Sequence, residues 1–203
     1  TSVGIGVPGI VRDGAVSHAV NLGLGARPLD LAGHARALLP DAAAPVTVEN
    51  DVKAAVRGAS RWLRETEGTG QDLALLNVGT GLAAGLILDG VLRRGARGMA
   101  GEIGHVVVLP RGGLCTCGRR GCLETVASLG AMLGRAGIGA SSSGSRPQDL
   151  LAERLQNGDK AVRRVVEEAG RNIGIVLSSL VAALNPSRVV LTGDALALDP
   201  LFT

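Results

Sequence analysis

The chain of 203 residues has no tyrosine, one phenylalanine and one tryptophan. A binder of single-stranded nucleic acid needs aromatic platforms for its bases, and Trp62 with Phe202 cannot supply them. Lysine is almost missing too: Lys53 and Lys160 stand alone among scattered arginines. A net charge of +3 and a pI near 9.1 therefore draw no basic stripe of the kind a DNA footprint requires, and read as a solvated mixed surface. No uninterrupted apolar run reaches the length of about 18 residues that spans a bilayer. The opening TSVGIGVPG has neither a charged leader nor a cleavage site, so a cytoplasmic protein without membrane partners is expected. Cysteine is scarce and odd in number, with all three in one stretch, which excludes a secreted disulfide framework.

What is present is glycine and apolar sequence. The 31 glycines are about twice the usual share. They lie among apolar runs without a G-X-Y period, which rules out collagen-like and disordered classes. Residues 3–7 form a short apolar strand stopped by Pro8-Gly9. Residues 29–39 read as a helix and 45–50, PVTVEN, as a β-branched strand. A helix over 52–65 would bury Val52, Ala55, Val56 and Ala59 on one face. Residues 72–95 predict two long apolar strands around a Gly-Thr-Gly turn, and 100–126 a loop-rich insertion. The Ser/Gly-rich 139–147 reads as a surface loop. Helices are expected at 148–157 and 159–184, the last turns of the second buried, followed by a buried strand at 188–193. Strands interleaved with helices imply an α/β fold, and no internal repeat is evident.

Four constellations can carry chemistry. His105, Cys115, Cys117 and Cys122 form an H-x9-C-x-C-x4-C pattern. Three thiolates and one imidazole make a closed tetrahedral set for a structural zinc ion, with no open position for water; the alternative is free buried cysteines beside a chance histidine. Glu49-Asn50-Asp51 ends a strand and starts a helix. It reads either as a helix N-cap or as a carboxylate at the strand end where α/β folds bind ligands, with Asp51 positioned to take a proton. Gly79-Thr80-Gly81 can admit a phosphate to backbone N–H groups, though a plain hairpin turn explains it equally well. Glu102, His105 and Glu124 suit sugar hydroxyls, or are surface charges.

These segments together resemble the ROK family of repressors, open reading frames and sugar kinases. The resemblance rests on VGIGVPGIV, VENDVKAA, NVGTGLAAGLILDG, RGARGMAGEIGH and GLCTCGRRGCLE, and covers nearly the whole chain. It implies the two-lobed actin-like ATPase (sugar kinase) fold with a zinc-stabilised insertion. Residues 1–70 would belong to the small N-terminal lobe and 71–203 to the large C-terminal lobe, with the zinc loop at 102–124. By the same resemblance, Asp51 matches the catalytic base, and Asn50, Glu102, His105 and Glu124 match sugar-binding positions. Gly79, Thr80 and Gly81 match the second phosphate loop and Gly193 the adenosine motif. His105, Cys115, Cys117 and Cys122 match the zinc ligands, so His105 would serve metal and sugar at once.

The implied activity is transfer of the γ-phosphoryl group of ATP-Mg2+ to a hexose or N-acetylhexosamine hydroxyl by a homodimer. The alternative is the sugar-sensing part of a repressor that meets DNA only through a helix-turn-helix outside this chain. Some positions depart from the family pattern. A DxGGT-type first phosphate loop is expected upstream of Thr1, and without it the chain as given should not transfer phosphate well. Lys53 stands where a second asparagine is usual, Ala83 and Ala84 replace glycines, and Asp194 follows Gly193 in place of glycine.

Overall fold

The computed structural model describes residues 2–39, 44–139 and 146–198. The expected Ser/Gly loop at 139–147 falls largely outside them. The chain divides into two compact units, 1–74 with 85–101, and 75–84 with 102–203.

In the first unit, β1 (Val3–Val7) pairs in parallel with β5 (Val46–Asn50), Val7 opposite Asn50. Pro8-Gly9 breaks β1, and the chain turns into the antiparallel strands β2 (Ile10–Arg12), β3 (Ala15–Ser17) and β4 (Leu29–Asp30). Helix α1 (Leu31–Ala37) starts later than the expected 29–39 because Asp30, still in a strand, caps it by accepting from Gly33 N at 2.8 Å. The core here is Val7, Val11, Val16, Ala19, Ala32 and Val48. Helix α2 (Asp51–Glu67) follows β5 without a gap and ends at Gly68 in the left-handed region. Its buried face is Val52, Lys53, Val56, Ser60 and Leu63. Ala55 is exposed and Ala59 half-buried, contrary to expectation. Two polar residues replace them inside because each has a carbonyl to donate to: Lys53 Nζ reaches Gly98 O and Ser60 Oγ reaches Gly70 O at 2.6 Å.

The two apolar strands flanking Gly-Thr-Gly are β6 (Leu73–Val78) and β7 (Leu82–Leu88). They lie in a four-stranded sheet with β8 (Val91–Leu92) beside β7 and β9 (Arg188–Thr192) beside β6. The larger core, in the second unit, joins Leu76, Val78 and Leu82 to Leu123, Met132, Leu151, Val162, Val166 and Ala169. Leu123 immediately precedes α3 (Glu124–Ala127), which adds Ala127, and the others joined to the strands come from α4 (Leu129–Arg135), α5 (Pro147–Gln156) and α6 (Lys160–Leu184). Asp159 caps α6 by accepting from Ala161 N and Val162 N, and is held by Arg154. Asn185, left-handed at φ 45, ends the helix just before Pro186. The last turns of α6 are not buried: Ile175 is 62% exposed and Ser178, Ser179, Ala182 and Ala183 are exposed as well. β9 is half-buried at most. Both segments are apolar enough to be covered, yet the described residues leave these faces open. No helix among the described residues is long and apolar enough to cross a membrane.

Candidate functional site

In the first unit the candidates sit on the corner between β5 and α2. Asn50 is the helix cap: its Oδ1 accepts from Lys53 N at 3.0 Å, and its Nδ2 donates to Gly9 O at 3.0 Å. This capping role, one of the two readings of the segment, therefore falls on Asn50. Asp51, the first helical residue, is exposed and accepts only from its neighbour Val52 N at 2.8 Å among the described hydrogen bonds. Its carboxylate lies at the C-terminal end of a parallel-paired strand and at a helix N-terminus, where negative charge is favoured.

In the second unit the candidates gather around the ends of β6 and β7. The Gly79-Thr80-Gly81 turn is closed by Gly79 N donating to Gly81 O at 3.0 Å, while Gly79 O accepts from Leu129 N at 2.8 Å. Thr80 is exposed. A methyl placed on Gly81 would lie 3.2 Å from Glu124 Oε2, so the first residue of α3 stands directly against this turn. Gly193 (φ +109) follows β9 and packs on the Val78 backbone so closely that any side chain would collide with the Val78 carbonyl. Gly104 is pressed in the same way onto Leu82 O. Glu102 flanks the short 3-10 turn Ile103–His105 and is half-buried.

The cysteine loop folds on itself through isolated bridges between Val107 and Cys122 and between Leu114 and Arg120. Val108 N and Leu109 N both donate to Gly121 O, at 2.9 and 3.0 Å. Gly121 is left-handed at φ +70, and a Cβ there would overlap the Leu109 backbone. This closure brings one ligand atom each from His105, Cys115, Cys117 and Cys122 within 4.8 Å of one another. His105 Nδ1 is 3.5 Å from Cys115 Sγ, and the Cys117 and Cys122 sulfurs are 3.6 Å apart. Tetrahedral zinc with bonds of about 2.0–2.3 Å sets edges of roughly 3.5–3.8 Å, and these two distances match such edges, so the cluster could hold a metal ion of that kind. Without metal the thiols are unequal. Hydrogen bonds from Arg119, its backbone first, hold the exposed Cys117 down to about 6, whereas burial pushes Cys122 up to about 12. Binding of the ion demands thiolate from both.

Sequence reasoning missed three residues beside this machinery. Arg94 is paired with Glu49, and Lys53 is buried against Gly98. Glu49 was visible only as the neighbour of Asn50, and Lys53 only as a departure from a pattern.

The ROK family model matches residues 1–203. The chain belongs to the ROK family. It is 33% identical to the glucokinase of Halalkalibacterium halodurans over 94% of this chain and 60% of that protein. It is likewise 33% identical to the xylose repressor of Caldicellulosiruptor bescii, over 98% of this chain and 52% of the repressor. The N-acetylmannosamine kinase of Haemophilus influenzae is 32% identical over 95% of this chain and 62% of the kinase. The chain thus spans about half to two thirds of these relatives. Among solved structures, a ROK family glucokinase from Streptomyces griseus in complex with glucose and AMPPNP superposes with a TM-score of 0.78 at 29% identity, over 99% of this chain and 69% of that one. A ROK family transcriptional regulator superposes with a TM-score of 0.79 at 26% identity, over 100% of this chain and 52% of that one. The fold is the actin-like ATPase fold of ROK sugar kinases, as the sequence implied. Sugar kinases and repressors are both represented among the relatives.

Proposed function

We propose that this chain is the sugar-binding and catalytic part of a ROK-family sugar kinase, transferring the ATP γ-phosphoryl group to a hydroxyl of a hexose or N-acetylhexosamine. The observation that carries the reading is the division of labour on the β5–α2 corner. Asn50 caps the helix, so the exposed Asp51 carboxylate is not spent on that task. A carboxylate so placed takes the proton of the attacking hydroxyl as its oxygen bonds to the γ-phosphorus and the bond to the bridging oxygen breaks, releasing ADP. The glucokinase and N-acetylmannosamine kinase relatives support the same reaction.

The remaining roles follow by residue. Asn50 has a second amide hydrogen for a sugar hydroxyl, and Glu102 and Glu124 accept from hydroxyls. The turn from Gly79 to Gly81 and the close-packed Gly193 offer backbone where phosphates and adenosine approach, with ATP arriving as its Mg2+ complex. His105, Cys115, Cys117 and Cys122 would hold zinc, which when bound fixes the loop and supplies no chemistry of its own. Since Nδ1 of His105 faces Cys115, its Nε2–H is left as the donor to sugar. The two units would be portions of the small and large lobes of a homodimeric kinase.

The second reading, a sugar sensor, is favoured by the xylose repressor relative and the transcriptional regulator structure. The deciding experiment is turnover of a hexose and amino-sugar panel with ATP by the full-length protein. Phosphorylation supports the kinase, and sugar binding without turnover supports the sensor.

A further inference from the structure

Glu49 has no part in the chemistry above, yet its carboxylate is buried in a strand, and both of its oxygens are used. Oε1 accepts from Asn50 N at 3.2 Å, on the corner itself. Oε2 accepts from Arg94 Nε at 3.1 Å and Nη2 at 2.5 Å. Arg94 opens a turn closed by Ala100 N to Arg94 O at 2.9 Å and Gly98 N to Gly95 O at 3.2 Å. Gly95 and Gly98 are both left-handed at φ +74, and a Cβ on Gly98 would lie 2.9 Å from Val11 O. A second tie fastens the far side of the same turn. Lys53, 2% exposed, donates its Nζ to Gly98 O at 3.0 Å while its backbone N–H completes the Asn50 cap. The segment from Arg94 to Gly98 is thus held at two points, each 45 residues distant in sequence, to Glu49 and Lys53, which lie on either side of the cap Asn50 and each bond to it.

We propose that Glu49, Arg94 and Lys53 are positioning residues for Asp51: together they clamp the 94–98 turn onto the β5–α2 corner and hold the corner's backbone where the base projects. This rests on the kinase reading above. A buried carboxylate and a buried ammonium are costly to leave unmatched, so their placement around one corner calls for a reason beyond packing. In-line transfer needs its base held to within a fraction of an ångström, and a misplacement near 1 Å costs about a hundredfold in rate. The ties reach Asp51 through Asn50 beside it, whose side chain the kinase reading also turns to a sugar hydroxyl, so their loss should fall mainly on kcat with a much smaller rise in sugar KM.

The test is a double-mutant cycle in the full-length protein with Glu49→Ala, Arg94→Ala and the double variant, beside Lys53→Met and the conservative Glu49→Gln and Arg94→Lys. Hydrogen exchange across 94–101 is followed in each. The clamp predicts kcat lowered about ten- to a hundredfold in either alanine variant, sugar KM within about threefold, and a double variant no slower than the worse single. Arg94→Lys should recover most of kcat, and exchange across 94–101 should quicken in the alanine variants and in Lys53→Met. If an alanine variant does not fold, Glu49→Gln and Lys53→Met carry the comparison. Folded variants with kcat within twofold of wild type, losses in KM alone, or additive effects overturn the proposal. A wild-type protein that phosphorylates no sugar overturns the kinase reading instead; the clamp is then rejected if exchange across 94–101 is the same in all variants.

Discussion

Metal-stripped protein should show sharply unequal thiol reactivity within a single loop. Arg119 holds Cys117 near 6 and burial raises Cys122 to about 12. At pH 7 the first is then about nine-tenths thiolate and the second about one part in 10⁵. The more basic thiolate is the better nucleophile, by roughly a thousandfold across six units at a Brønsted slope near 0.5. Cys117 therefore leads by about a hundredfold before access is counted, and access widens the gap because Cys117 is exposed and Cys122 fully buried. The assay strips the metal with a chelator, pulses with an alkylating reagent, and reads each cysteine peptide by mass spectrometry. Labelling of Cys117 should fall about tenfold per pH unit below 6, and one equivalent of zinc should protect all three cysteines. Equal labelling of Cys117 and Cys122 would refute the roles given to Arg119 and burial, and labelling that zinc does not slow would refute the assignment of these side chains to one tetrahedral site.

Glu124→Ala should weaken sugar binding by about 1.5–3 kcal/mol, the usual worth of a hydrogen bond to a charged group; titration calorimetry showing unchanged affinity would leave the residue a mere neighbour of Gly81. Gly121→Ala must adopt a left-handed conformation costing about 1–2 kcal/mol and must also push aside the Leu109 backbone, so it should lower the melting temperature and the zinc content together. Asp159 is held below the usual carboxyl range, chiefly by its hydrogen bond from Arg154. A depressed folded-state value stabilises above the unfolded-state pKa of about 3.9 and is lost as pH falls through the folded one. Asp159→Asn, which can still cap α6, should therefore melt below wild type at neutral pH, with the gap closing below about pH 4; a gap independent of pH would contradict the ion pair.

Features written in neighbouring residues were legible before any coordinates. The β-branched PVTVEN, the Gly-Thr-Gly turn and the His/Cys spacing each specify their structure within about twenty residues: β5 and the β6–β7 turn appear where expected, and His105, Cys115, Cys117 and Cys122 lie close together. Pairings across long stretches of chain were not legible. Nothing adjacent to Glu49 announces Arg94, and a lysine in a helix is read as solvent-facing until the carbonyl it reaches is known. That explains the misassigned face of α2, where Lys53 and Ser60 are inside and Ala55 outside. Alanine carries too little apolar area to decide which way a helix turns. The end of α6 fails for the opposite reason: GIVLSSLVAAL is apolar apart from Ser178 and Ser179, too continuous for periodicity to say which face is covered or by what.

The most direct test of the kinase reading is the rate of ATP-dependent phosphorylation by the full-length protein and its Asp51→Ala variant, with sugar affinity measured on both. A positioned general base contributes about 10²–10⁴-fold. The account predicts turnover of at least one hexose or N-acetylhexosamine, lost by that factor in the variant while sugar still binds. Turnover that survives the substitution, or sugar binding with no turnover in the wild type, would contradict it.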